Sequence, residues 1–218
     1  MIGSHDTMTY LKSTSWLYNN CKKYWKCQCK TLDEQYKFGI RMFDFRVYLN
    51  KGKWKFAHGK VNLNHNGFPT LLSLVEFMKE KYPLAIYRIW LEKGDDDYIA
   101  EFKRQTEIIK KKIEEGNDYL VWKIGIKSYK EWQYGIFNQN QKLYDMGYKI
   151  ALNDTWTYPN YELHGFFNEF SDLFTVDLRK DAEKVNSQFD FFSDKEKLKE
   201  MLESKEKLYF LDFCTNQY

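Results

Sequence analysis

Short apolar runs separated by amphipathic helical stretches recur along this chain, and that alternation limits its folds more than any other feature. "IRMFDFRVY" (residues 40–48) alternates as a strand does, bounded by Gly39 and the Asn50-Lys51-Gly52 turn, and residues 54–58 supply the return arm of a hairpin. "TLLSLVEFMKEK" (70–81) sets Leu71, Leu72, Leu74, Val75 and Met78 on one helical face before Pro83 ends it. "LAIYRIWLE" (84–92) reads as a mostly apolar strand, and residues 100–115 as a Lys/Glu-rich helix stopped at Gly116. Strands follow at 119–125 and 148–156, then an amphipathic helix at 196–204 and a last strand at 207–213. Residues 1–4 end a short strand, whereas 11–24 shows no clean period. This order predicts a mainly parallel sheet with helices outside, either doubly wound or closed into a barrel. No repeat, linker or low-complexity tract interrupts it, so residues 1–218 read as one domain.

Composition narrows the class. The 218 residues suffice for a real core, and 19% aromatic residues with only 3 prolines exclude a disordered chain. A formal charge of +3 is too mild to argue for nucleic acid, yet it permits weak attraction to an anionic lipid surface. No basic region, apolar core and small-residue cleavage site lead the sequence, and no run of 18 apolar residues occurs. The expectation is a soluble chain, cytoplasmic or with its leader removed. The cysteines are Cys21, Cys27, Cys29 and Cys214. A Cys-x-Cys beside Cys21 has the look of a metal knuckle, but no histidine is near in sequence and no second pair exists. Ordinary reduced thiols and no bound metal are expected.

Four features stand near predicted strand ends: His5-Asp6, Asp44-x-Arg46, His58-Gly59 and Asp154-x-Trp156. In parallel α/β folds such ends converge, so residues distant in sequence meet. Asp44 and Arg46, two apart on a strand, share one face and are costly to bury unless paired or put to use. Each feature has a plain structural explanation: an ion pair, a satisfied histidine, a strand-end turn. His65 and His164 are left with that explanation. Together the others point further, because two imidazoles and a guanidinium are what phosphoryl transfer to an internal hydroxyl needs. One imidazole takes the hydroxyl proton, the other protonates the leaving oxygen, and the fixed cation offsets charge on the phosphate oxygens. An ordinary histidine pKa of about 6.5 suits both proton roles, and the planar arginine fork matches phosphate.

"GSHDTMTY", "GIRMFDFRVY" and "AHGKV" resemble the successive blocks of the phosphatidylinositol-specific phospholipase C X domain, in order and within residues 3–59. The resemblance is to the bacterial branch. Asp6 follows His5 where the calcium-dependent eukaryotic pattern has Asn, and Arg46 stands where that pattern has a metal-holding carboxylate. What this implies is a distorted or incomplete (βα)8 barrel and a metal-independent phosphodiesterase without a cofactor. His5 would be the base for the inositol 2-hydroxyl, Arg46 the phosphate ligand and His58 the acid for the diacylglycerol oxygen. Asp6 would hydrogen-bond His58 or Arg46, and Asp44 would fix the local charge network. Products would be diacylglycerol and inositol 1,2-cyclic phosphate.

The same resemblance implies a sugar side made of Glu92, Lys123, Asp154 and Trp156, the last where the family usually has Tyr. Asp212 is the candidate for a late-strand Asp that orients His5. Implied partners are an inositol phospholipid and a transient membrane contact, with no nucleic acid and a monomeric state. Residues 161–174, rich in Phe, read either as a core-facing helix or as an interfacial segment, and Trp16 and Trp25 are similar candidates. Two rivals stay open: a phosphodiesterase for another head group, and a catalytically weak lipid-binding domain of the same fold.

Overall fold

The computed structural model describes residues 1–127, 132–137, 140–148, 156–157, 182–183, 186–206 and 208–211. β1 (Ile2–Ser4) leads through a 3-10 turn at Thr7–Tyr10 to the short α1 (Trp16–Asn20) and then α2 (Leu32–Phe38). The hairpin β2 (Met42–Asn50) and β3 (Lys53–His58) follows, with β4 (Val61–Asn62), α3 (Leu71–Lys81), β5 (Ile86–Leu91) and α4 (Asp96–Glu114). Then come β6 (Val121–Lys127), β7 (Trp132–Phe137), α5 (Gln141–Asp145), β8 (Trp156–Thr157), α6 (Lys195–Glu203) and β9 (Leu208–Leu211).

The strands pair in the order β7-β6-β5-β2-β1-β9-β8, with β3 added to β2 and β4 to β3. All neighbours from β6 to β8 along this path are parallel, and β3, β4 and β7 pair antiparallel. The sheet is therefore mainly parallel, as the alternation predicted. Among the described residues it is open, with β7 and β8 at its two ends.

Local chemistry explains where element boundaries differ from the periodic reading. The α2 helix lies in a stretch of weak pattern, but a capping box starts it: Thr31 Oγ1 accepts from the Glu34 backbone N–H while Glu34 Oε2 accepts from that of Thr31. The α4 helix begins at Asp96 rather than residue 100, because Asp95 Oδ1 accepts the Tyr98 N–H at 3.1 Å and caps it. Of the strand expected at 148–156, Trp156 lies in β8, Tyr148 precedes it outside any strand, and residues 149–155 lie outside the described residues.

The β2 and β5 strands are buried on both faces, and the two faces differ in kind. Phe43, Phe45, Val47, Tyr87, Ile89 and Leu91 join the apolar core with Leu71, Leu74, Val75 and Met78 of α3 and Phe102 and Ile109 of α4. Gln105 of α4 locks this layer, since its Oε1 accepts from Trp54 Nε1 (2.9 Å) and from the Leu71 backbone N–H (2.6 Å). The other face carries two rows in register. One runs Asp44, Arg88, Lys123; the next runs Arg46, Trp90, Gly125. Trp90 lies across Gly125 so closely that a Cβ there would come within 1.6 Å of its Cζ3. Trp90 is fully buried.

Gly125→Ala should therefore destabilise the fold by at least the roughly 1–3 kcal/mol typical of overpacking. Urea unfolding checks this through a lower midpoint at unchanged slope.

Candidate active site

The site is built from the ends of strands. His5 follows β1, and its backbone N–H donates to the Leu211 carbonyl of β9 at 3.2 Å. The buried Gln28 amide reinforces that junction, donating from Nε2 to the carbonyls of His5 (3.0 Å) and Leu211 (2.9 Å). Asp6 turns the chain in the left-handed region (φ 44°, ψ 51°), which Asp tolerates better than most residues. Its carbonyl accepts from the Thr9 N–H (2.9 Å) and hydroxyl (2.8 Å). The same Thr9 hydroxyl accepts the Cys27 and Gln28 backbone N–H groups at 3.1 and 2.9 Å, which draws residues 27–28 against His5.

Asp6 is the hub of the side chains. Its Oδ2 is 3.3 Å from His5 Nε2 and 3.3 Å from His58 Nε2, and its Oδ1 is paired with Arg46 Nε. Arg46, only 5% exposed, also reaches Asp44 Oδ2 from Nε (3.2 Å), Glu92 Oε2 from Nη1 (3.5 Å) and His5 Nε2 from Nη2 (2.7 Å). Asp44 is gripped from the next strand by Arg88, with Nε on Oδ1 at 2.7 Å and Nη2 on Oδ2 at 3.0 Å. Its backbone is held as well, the Asp44 N–H donating to Thr7 Oγ1 at 2.8 Å. Glu92 directly follows β5, and its Oε1 accepts the Gly59 N–H at 2.6 Å. Gly59 has a φ of 55°, so this contact fixes a glycine-favouring turn next to His58.

These partners set the ionisation states of the acids. Burial pushes the Asp6 carboxyl up, but Arg46, His5 and His58 together outweigh it and hold the group below its ordinary value. Burial likewise opposes ionisation of Asp44, and Arg88 and Arg46 overcome it, holding that carboxyl well below the usual range.

The imidazoles are distinguished by their partners. His58 Nδ1 is 2.6 Å from the Trp25 carbonyl and its Nε2 faces the Asp6 carboxylate, two groups that only accept. That arrangement suits a ring with a proton on each nitrogen. His5 Nε2 lies 2.7 Å from Arg46 Nη2, which only donates, and this contact is shorter than the 3.3 Å to Asp6. Accepting from Arg46 across the shorter contact favours a His5 ring with its proton on Nδ1.

Six of the residues singled out from sequence thus share one cluster: His5, Asp6, Asp44, Arg46, His58 and Glu92. Lys123 is buried on β6 in register with Arg88. Trp156 lies on β8, which pairs with β9. Asp154, Asp212, His164, Cys214 and the segment 161–174 lie outside the described residues. His65 matches its plain explanation, its Nδ1 accepting the Gly67 N–H and its ring packed on Phe56 and Phe68. Trp25 is buried, with Nε1 donating to the Tyr18 carbonyl, so it is not free to enter a lipid surface as the sequence allowed; Trp16 is 79% exposed. Cys21, Cys27 and Cys29 are not in disulfides.

Sequence reasoning missed Arg88 and Gln28. Arg88 was legible in principle, as a lone guanidinium sharing the period-2 face of "RIWLE" with Trp90 and Glu92. Gln28 gave no signal, since only the fold brings it to β1 and β9.

Removing Arg88 leaves a buried carboxylate with half its counter-charge. Arg88→Leu should cost about 3–5 kcal/mol near neutral pH, read by urea unfolding. A depressed folded pKa means that the unfolded chain binds the Asp44 proton first as pH falls. The stabilisation is thus whole above the ordinary carboxylate value of about 4 and is lost in stronger acid. The parent should gain more stability than Arg88→Leu between about pH 2 and about pH 5.

No protein-family model matches this chain, and no curated protein matches it in sequence. Among solved structures, it superposes on the phosphatidylinositol-specific phospholipase C from Listeria monocytogenes with a TM-score of 0.54 at 14% identity, covering 100% of this chain and 89% of that one. The S. aureus phosphatidylinositol-specific phospholipase C, in a structure concerned with its membrane binding, gives a TM-score of 0.49 at 16% identity over 100% of this chain and 86% of its own. A double mutant of the S. aureus enzyme gives 0.32 at 26% identity over 42% of this chain and 29% of its own. The chain thus has the fold of the Listeria protein, a mixed α/β architecture on a largely parallel sheet.

Proposed function

We propose that this chain is a phosphodiesterase that cleaves phosphatidylinositol, or a related inositol phospholipid, to diacylglycerol and inositol 1,2-cyclic phosphate without a metal ion. The observation that carries this reading is the pairing of unlike imidazoles on one carboxylate oxygen. His5 and His58 both point Nε2 at Asp6 Oδ2, with partners that favour a neutral His5 and a doubly protonated His58. A base and an acid, already differentiated and beside one guanidinium, suit an in-line transfer to an internal hydroxyl.

In this mechanism the lipid phosphate displaces His5 from Arg46, since its oxygens are stronger acceptors for the guanidinium than a neutral imidazole. The freed His5 Nε2 takes the proton of the inositol 2-hydroxyl, whose oxygen attacks phosphorus. Arg46 balances the charge on the pentacoordinate phosphorus, and His58 gives its Nε2 proton to the departing diacylglycerol oxygen. Water then opens the cyclic ester with the two proton roles reversed. Asp6 holds both rings, while Asp44 and Arg88 keep Arg46 in place. Glu92 borders the phosphate position, and Lys123, Asp154 and Trp156 are the proposed contacts of the inositol. Asp212 is the proposed orienting group for His5, in a sheet read as a distorted barrel. The domain is read as residues 1–218 and the working species as a monomer.

A lipid substrate requires a surface to dock on. Trp16 and Leu17 are both largely exposed on α1, and the loop that follows carries the carbonyl holding His58. No helix among the described residues is long and apolar enough to cross a membrane. Contact by shallow insertion of α1 is the proposed mode.

A phosphorus NMR time course on phosphatidylinositol vesicles with chelator present should show the cyclic phosphate appear. His5→Ala and His58→Ala should each lower the rate about 100- to 10,000-fold. Absence of the cyclic product, or a requirement for added calcium, overturns the proposal. Trp16→Ala should weaken vesicle sedimentation while leaving the folded stability intact.

A further inference from the structure

We propose that His5, Asp6 and Cys27 also form a site for a borderline-soft divalent cation of the Zn2+ class, and that its occupancy switches the enzyme off. The inhibitory half rests on the function proposed above; the binding half stands on the cluster alone.

Ligand atoms of these three buried residues all lie within 4.8 Å of one another. Asp6 Oδ2 is 3.3 Å from His5 Nε2 and 3.9 Å from Cys27 Sγ. Zinc bonds to nitrogen, oxygen and sulfur place neighbouring ligands of a tetrahedral site about 3.3–3.8 Å apart. Both edges that meet at Asp6 therefore already have nearly the required length, and only the His5–Cys27 edge must tighten. His58 Nε2, 3.3 Å from the same oxygen, becomes a further ligand once it gives its proton to solvent. A thiolate, an imidazole and a carboxylate together select zinc-like ions over Ca2+ and Mg2+, which prefer oxygen alone.

The charges permit it. Arg46 is paired with the other Asp6 oxygen, Oδ1, so Oδ2 is the one offered to the cation. The guanidinium must give up His5 Nε2, but Asp44 and Glu92 still hold it. Binding replaces the Cys27 S–H bond by a sulfur–metal bond and releases that proton to solvent, so the pocket gains one net positive charge instead of two. The bound cation then occupies the lone pair that His5 needs as a base and the oxygen that orients both rings. The cysteine spacing suggested a knuckle of neighbouring cysteines and not this ligand set, because His5 and Asp6 come from the far side of a loop.

Cobalt(II) titrated into the full chain reports the site without any turnover. A thiolate-to-cobalt charge-transfer band should appear, be erased by Zn2+, and be lost in Cys27→Ser but kept in Cys21→Ser and Cys29→Ser. In the vesicle assay, Zn2+ should inhibit the parent reversibly with chelator. Cys27→Ser should keep its turnover and need about 10-fold more Zn2+ or beyond for the same inhibition. No band, a band that survives in Cys27→Ser, equal inhibition of parent and variant, or stimulation by Zn2+ overturns the proposal. A cobalt band in a chain with no phosphodiesterase turnover would overturn the function while leaving the metal site standing.

Discussion

A single buried carboxylate, Asp44, supports the rest of the site. It accepts two hydrogen bonds from Arg88 and one from Arg46, and it takes the Asp6 backbone N–H at 3.2 Å. β2 and β5 are thereby joined through their charges as well as their ladder, and the turn after β1 is tied to them. A guanidinium left alone at this depth would be expensive, and so would the carboxylate; each is tolerable because the other is fixed opposite. The local chain of dependence is short. Asp44 sets Arg46 and the Asp6 turn, Asp6 sets both imidazoles, and Glu92 sets the turn beside His58.

The arrangement also explains how one histidine is separated from another of the same chemistry. No difference in residue type distinguishes His5 from His58. A carbonyl behind one and a guanidinium beside the other do so, and neither partner is exotic. The proposed division of labour is therefore a property of the scaffold, carried by the Trp25 backbone and by Arg46.

Much of this was readable in advance, for a physical reason. Period-2 and period-3.6 patterns report burial directly, so β2, β3, β5, β6, α3 and the parallel sheet followed from the order of residues. His5, Asp6, Asp44, Arg46 and His58 stood out because charged groups at predicted strand ends need an explanation. Capping overrode the pattern at α2 and at the start of α4, where one or two side-chain hydrogen bonds settle what hydrophobicity leaves open. Arg88 was hidden by the apolar run around it. Gln28 and Cys27 were beyond reach, since nothing local marks a side chain whose partners are supplied by distant strands.

The Gln28 amide has a consequence for how the molecule comes into being. It joins the His5 carbonyl to that of Leu211, 183 positions beyond Gln28 itself. Contacts of such separation form late, since a long loop must close before they return any stabilisation. During synthesis the emerging chain can assemble the hairpin and the β5–β6 core while His5 still lacks its β9 neighbour. Under the proposed function, turnover therefore waits for β9, the strand that completes the junction beneath His5.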